Sequence, residues 1–196
     1  SAPFRAGFVA LLGKPNAGKS TLMNALVGAK LAAVSGLPQT TRERLAGFYT
    51  DDLRQIIFVD LPGMIAPTDR LNEALRQSVV ENLSRADAVL HLADVEDDKP
   101  LSDDMEEALA SVRTPMVLTV TKLDGKRAQV DPHGWAGERL PRELRQRYHR
   151  LLGVSAVQET GLDELLEALA ELLPESPPLY DPDDLTDRDL RYLSQE

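Results

Sequence analysis

Apolar positions fall along this chain in two rhythms. The short apolar run at residues 8–12 and the mainly apolar stretches at 88–93 and 116–121 have the length of buried strands. Residues 45–49 and 55–60 read as two more strands, joined by a tight polar turn at 50–54. A sixth short strand is predicted at 152–155. Between these runs the spacing changes to that of helices. Residues 19–27 follow the first strand with helical spacing, and Gly28 suits the C-terminal cap. Helices are also predicted at 70–83, with Leu71, Leu75 and Val79 on one face, at 102–111 and at 142–150. Leu162, Leu165, Leu166, Leu169, Leu172 and Leu173 form one apolar stripe of a last helix, for which Thr160 and Asp163 make a capping box.

Strand–helix alternation predicts an α/β fold with a mostly parallel, six-stranded sheet flanked by helices. Such sheets bind ligands at the C-terminal ends of their strands. Residues 174–184, PESPPLYDPDD, read as a linker, so a globular domain is expected over 1–173 and a linker over 174–196.

Composition narrows the class. With 42% hydrophobic and 28% charged residues the chain can bury a full core. It contains no cysteine, so neither a disulfide framework nor a thiolate metal site is available. No apolar run approaches the roughly 18 residues needed to span a bilayer. A soluble, cytoplasmic protein is expected. The net charge of −10 argues against polyanion binding by this chain alone. About half of that charge lies in 174–196, where seven carboxylates face two guanidiniums.

The chemistry begins where the first strand ends. Gly13-Lys14-Pro15-Asn16-Ala17-Gly18-Lys19-Ser20 fits G-x-x-x-x-G-K-[ST] and stands between a predicted strand and a predicted helix. Glycines at those positions let successive backbone N–H groups turn inward around phosphate oxygens, and the following helix, with Thr21 in its first turn, points its positive end at the same anion. Lys19 is expected to reach the β- and γ-phosphates, and the Ser20 hydroxyl to ligate Mg²⁺.

Three further segments select the base. Asp60-Leu61-Pro62-Gly63 closes a predicted strand and fits D-x-x-G, with Asp60 approaching Mg²⁺ through water and the Gly63 N–H meeting the γ-phosphate. Thr121-Lys122-Leu123-Asp124 closes another. The Asp124 carboxylate can accept from guanine N1–H and the 2-amino group. Adenine offers neither donor there and would leave a carboxylate unpaired. The Lys122 stem can cover the base face. Ser155-Ala156, after the last strand, can offer a backbone N–H to guanine O6. Each tetrapeptide alone is common. Their order at successive strand ends reads as a Ras-like P-loop G domain that binds and hydrolyses GTP.

At this point the sequence resembles the Era family of translation-related GTPases. The resemblance rests on GFVALLGKPNAGKSTLMNALVG, PQTTR, FVDLPG, TKLD, SA and the tail LPESPPLYDPDDLTDRDLRYLSQE, which resembles the segment between Era's G domain and its KH domain. It implies GTP/GDP and Mg²⁺ as ligands, binding to small-subunit ribosomal RNA through the KH domain, a role in 30S assembly, and peripheral membrane association. No KH G-x-x-G loop follows, so a G-domain fragment is expected; its oligomeric state is left open. Two positions depart from the family. Thr121 stands where Asn usually ties the base loop to the phosphate loop, and Leu61 stands where DTPG has threonine.

Further expectations follow from the resemblance. In PQTTR, Thr41 is the expected second Mg²⁺ ligand, with Thr40 in reserve. Switch I is expected over 31–44 and switch II over 60–69. Met64 stands where Ras-like enzymes place a water-orienting Gln, and a thioether cannot do that work. Asn16 marks K⁺ activation in related GTPases, with K⁺ in place of an arginine finger; Arg42 and Arg44 are the rival charge donors. The catalytic set is thus Asn16, Lys19, Thr41 and Gly63. Three other readings stay open: a P-loop kinase or ATPase, a GTP-dependent binding module without turnover, and another GTPase of ribosome assembly or tRNA modification. His91 reads as a core histidine and Trp135 as packing. His133 and His149 have no metal-spaced partners. The acidic pairs at 97–98 and 103–104 read as caps and turns.

Overall fold

The computed structural model describes residues 2–27, 45–61 and 70–180. The strands are β1 (Arg5–Leu12), β2 (Leu45–Thr50), β3 (Arg54–Asp60), β4 (Ala88–Asp94), β5 (Met116–Thr121) and β6 (Tyr148–Gly153). The helices are α1 (Lys19–Val27), α2 (Glu73–Ser84), α3 (Asp103–Ala110), α4 (Pro132–Arg139), the four-residue α5 (Arg142–Arg145) and α6 (Leu162–Ala170). They build one six-stranded sheet in the order β2-β3-β1-β4-β5-β6. Only β2 runs antiparallel, against β3; every other pairing is parallel. The predicted α/β sheet is therefore present, with both faces covered. That is why β4 and β5 are buried at every position.

Side chains alternate across the pleat into two cores. Val89, Ala93, Leu118 and Val120 pack with α2, α3 and α4 on one face. Val9, Leu11, Leu90 and Val117 pack with α1 and α6 on the other. The leucine stripe of α6 is buried through Leu165, Leu166 and Leu169, each side chain contributing about 1.5–3 kcal/mol. His91 is a core residue as expected. Its Nδ1 lies 2.7 Å from the Tyr148 hydroxyl. Burial pushes its pKa down to about 4. Its Nε2 has no hydrogen-bond partner.

Three local expectations are corrected. The stretch 142–150 is not one helix. It is the short α5 followed by β6, because Tyr148 and Leu152 are needed as the apolar positions of an edge strand beside β5. Arg147 instead donates to the Leu109 and Val112 carbonyls at the end of α3. The capping box at Thr160 and Asp163 is absent. Gly161 caps α6 with φ +79° and no side-chain bond, while Thr160 exchanges backbone hydrogen bonds with Ser155. Trp135 packs as read, but from a helix the sequence pattern missed. Pro132 opens α4 at a position that needs no N–H, and Asp131 caps it by accepting from His133 and Gly134 N–H.

The first residues of the segment read as a linker lie along the sheet. Ala6 N–H donates to the Pro174 carbonyl and Ser176 N–H to the Phe4 carbonyl. Gln55, fully buried in β3, donates from Nε2 to the Tyr180 carbonyl and accepts from Leu179 N–H at 2.7 Å. Tyr180 meets Phe48 edge to face, with 6.2 Å between ring centroids.

Candidate nucleotide site

All the predicted segments that the structure describes come to one end of the sheet, at the C-terminal ends of β1, β3, β5 and β6. The phosphate loop leaves β1 at Leu12, turns through the Ala17 N–H to Lys14 carbonyl bond, and enters α1 with Leu22 N–H bonded to the Gly18 carbonyl. Gly18 has φ +86°, a conformation open to glycine and costly for residues with Cβ. At Gly13 a Cβ would stand 3.0 Å from the Leu92 carbonyl oxygen, so only glycine lets the loop lie so close to β4.

The lysine and the acid assigned to phosphate and Mg²⁺ meet. Lys19 Nζ lies 2.7 Å from Asp60 Oδ1, across the ends of β1 and β3. Ser20 and Thr21 are exposed in the first turn of α1. A serine hydroxyl and a carboxylate, completed by phosphate oxygens and water, form the all-oxygen set that Mg²⁺ takes. Among the described residues no cluster of three His, Cys, Asp or Glu side chains could hold a metal ion. Lys14 points elsewhere. Its ammonium pairs with Asp97 at 2.8 Å and donates to the Lys99 carbonyl, leaving its backbone to the phosphate loop. Pro15 and Asn16 form the exposed rim, and Ala17 is buried beneath it.

The base loop is tied to the phosphate loop despite the missing asparagine. Thr121, buried at 3% exposure, donates from Oγ1 to the Ala17 carbonyl at 2.6 Å. The Ala93 carbonyl at 3.3 Å is the weaker of its two neighbours. A hydroxyl has one proton, so threonine supplies one donor where an asparagine amide has two. Lys122 Nζ makes a second tie by donating to the Asn16 carbonyl at 2.7 Å. Asp124 is joined to the last loop, its Oδ1 accepting from the Ser155 hydroxyl at 3.2 Å. Ser155 Oγ in turn accepts from Gln158 N–H, which fixes the turn carrying Ala156. At Gly153 a Cβ would stand 2.3 Å from Leu123 Cδ1, so any larger residue where β6 passes the base loop would have to displace the Leu123 side chain.

Thr40, Thr41, Arg42, Arg44, Gly63 and Met64, and with them switch I and most of switch II, lie outside the described residues, as does Gly28. Sequence reasoning missed Asp94, which closes β4 and pairs with Lys122 at 2.7 Å. A carboxylate ending an apolar parallel strand was the available signal. It also missed Val157, 77% exposed beside Ala156.

Fold and site together define a Ras-like P-loop G domain with the residue set of a guanine-nucleotide-binding protein. The sequence pattern of the family described as 50S ribosome-binding GTPase matches residues 8–122, and the chain belongs to that family. Curated relatives that it resembles include Era proteins. GTPase Era of Lactobacillus helveticus is 38% identical over 199 residues, covering 98% of this chain and 63% of the relative. GTPase Era of Thermotoga maritima is 38% identical over 193 residues, with coverage of 98% and 63%. Among solved structures, Era in complex with MgGDPNP and a 16S ribosomal RNA segment matches at TM-score 0.65 and 30% identity, over 97% of this chain and 64% of that one. An Aquifex aeolicus Era variant bound to GDP·AlF4⁻ matches at TM-score 0.64 and 29% identity, with coverage of 97% and 64%. The chain thus spans about 63% of the length of the curated relatives it matches.

Proposed function

We propose that this chain binds GTP and GDP and hydrolyses GTP to GDP and phosphate. It serves as the G domain, over 1–173, of an Era-like switch in assembly of the small ribosomal subunit. The observation that carries this reading is the convergence of four strand ends, those of β1, β3, β5 and β6. Lys19 meets Asp60, Thr121 is tied to Ala17, and Asp124 to Ser155. Segments far apart in sequence are thereby locked into one phosphate-and-base site. An adenine-specific P-loop enzyme has no need of the Asp124–Ser155 arrangement.

Phosphoryl transfer is mostly positioning and charge neutralisation. Lys19 and the phosphate-loop amides bind and orient the β- and γ-phosphates. Ser20 and Asp60, with Thr41, would hold Mg²⁺, which when bound would supply charge neutralisation on those oxygens. Gly63 senses the γ-phosphate. Asp124 reads the guanine edge, and Ala156 meets its O6. With methionine at position 64, the nucleophilic water has no amide at that position to orient it. Asn16 on the exposed rim then becomes the candidate K⁺ ligand. Residues 174–196 lead toward a KH domain that binds small-subunit rRNA, and one similar Era structure contains a 16S rRNA segment. No helix among the described residues is long and apolar enough to cross a membrane. The reading places the protein in the cytoplasm, with any membrane contact peripheral.

GTP turnover with Mg²⁺ in matched KCl and NaCl tests the reading. A faster rate in KCl that is lost in Asn16→Ala supports the K⁺ assignment. Equal, measurable rates in both salts move the charge donor to Arg42 or Arg44. Tight GTP binding with no turnover leaves a binding module. ATP competing as well as GTP refutes the guanine assignment.

A further inference from the structure

We infer that Asp94 is a positioning residue for nucleotide binding, acting through Lys122; the inference rests on the reading that this site takes a guanine nucleotide. Lys122 has φ +67°, a left-handed conformation that a residue with a Cβ rarely adopts. Its neighbours are pinned. The Thr121 carbonyl accepts from Val95 N–H, and Leu123 N–H donates to the Val154 carbonyl. The backbone thus turns sharply between two fixed residues, and this turn aims the Lys122 side chain across the phosphate loop. A Cβ on Gly18 would stand 3.6 Å from Lys122 Cε, so the stem lies over that glycine with no side chain between.

Two acceptors hold the far end of that stem: the Asn16 carbonyl and Asp94 Oδ2, each at 2.7 Å from Nζ. The carboxylate side chain is 12% exposed and the lysine 47%. The anchor is therefore buried below while the stem stays open above, on the loop that carries Asp124 two residues later. A carbonyl alone would leave the ammonium free to swing into water. With the carboxylate it is held from two directions, and the stem becomes a fixed wall for the purine face. A wall of this kind slows release of any purine nucleotide, whereas Asp124 chooses among bases.

Asp94 also shapes its own loop, since Oδ1 accepts from Glu96 N–H at 2.9 Å and its carbonyl accepts from Asp97 N–H. Asp94→Asn separates the two roles. The amide oxygen can still accept from Glu96, but an NH₂ donor then faces the ammonium.

The experiment is stopped-flow release of N-methylanthraniloyl-GDP from the unaltered chain, Asp94→Asn, Lys122→Met and the double variant, with circular dichroism melts as a folding check. Release from Asp94→Asn is expected to be about tenfold faster. The preference for GDP over ADP should stay as it was, and the Asp94 effect should vanish in the Lys122→Met background. Release at the unaltered rate from Asp94→Asn overturns the proposal. So does an equal acceleration in the Lys122→Met background, because Asp94 would then act through something else. If the unaltered chain is folded and does not bind the probe saturably, the guanine-nucleotide reading itself fails and Asp94 falls with it.

Discussion

Thr121→Val tests how the base loop is held at the lowest steric cost. Valine matches threonine in shape and removes only the hydroxyl. That hydroxyl donates at 2.6 Å to the Ala17 carbonyl, and both residues are buried, at 3% and 2% exposure. Water cannot readily replace the lost donor, so the cost is that of an unpaired buried acceptor, about 1–3 kcal/mol. At about 2–4 °C per kcal/mol for a chain of this size, a fall in Tm of roughly 2–12 °C follows. The bond also joins the phosphate loop to the base loop. If about 1.4 kcal/mol of its worth is realised only when both loops grip the nucleotide, GDP release accelerates about tenfold. Fluorescent-GDP release and a thermal melt measure the two parts separately. Thr121→Asn, with two amide donors, should slow release relative to threonine. The reasoning is refuted if Thr121→Val keeps both the Tm and the release rate of the unaltered chain. A lower Tm with unchanged release would make the bond a fold contact only.

Three further outcomes are expected. His91 is buried with its pKa lowered to about 4 from an ordinary 6.5, so the unfolded chain binds a proton that the folded chain excludes. Its contribution is fully present above pH 6.5 and is lost as pH falls toward 4, by about 3 kcal/mol; urea melts should show the loss, and the pair His91→Leu with Tyr148→Phe should flatten it. Gly161→Ala must place a Cβ 2.3 Å from the Gly153 carbonyl oxygen at φ +79°, so urea unfolding should show a loss of about 2 kcal/mol or more. Gln55→Leu strips the partners from the Leu179 and Tyr180 backbone; hydrogen exchange at those amides should rise and chymotrypsin should cut after Tyr180.

The fold class and the motif residues gathered at one end of the sheet were more legible in the sequence than the bounds of the elements around them, for a physical reason. Ligand chemistry fixes residue types at fixed spacing along one strand end, so Gly13 to Ser20, Asp60 and Asp124 could be read from the chain. The start of α1 and the end of β5 were equally plain, because the motifs themselves mark those points. What failed were elements whose pattern depends on a distant neighbour. Residues 148–150 were read into the end of a helix, and the strand predicted at 152–155 begins earlier, at Tyr148, because β5 offers a free edge. The cap of α6 went to a glycine because the Gly153 carbonyl leaves no space for a Cβ.

The same distinction explains the two residues at which sequence reasoning saw a deficit or saw nothing. Thr121 reads as a weakened motif when judged against asparagine alone. In the fold its one proton reaches the carbonyl that matters, and Lys122 Nζ supplies another tie to the same loop through Asn16. That second tie depends on an ammonium being held in place. Asp94 can hold it because β4 and β5 are paired in parallel with Asp94 opposite Thr121. Parallel register therefore puts a carboxylate beside the base loop without any motif to announce it. A threonine at this position and an acid at the end of β4 act on one loop, and the two substitutions together should be less than additive in nucleotide release.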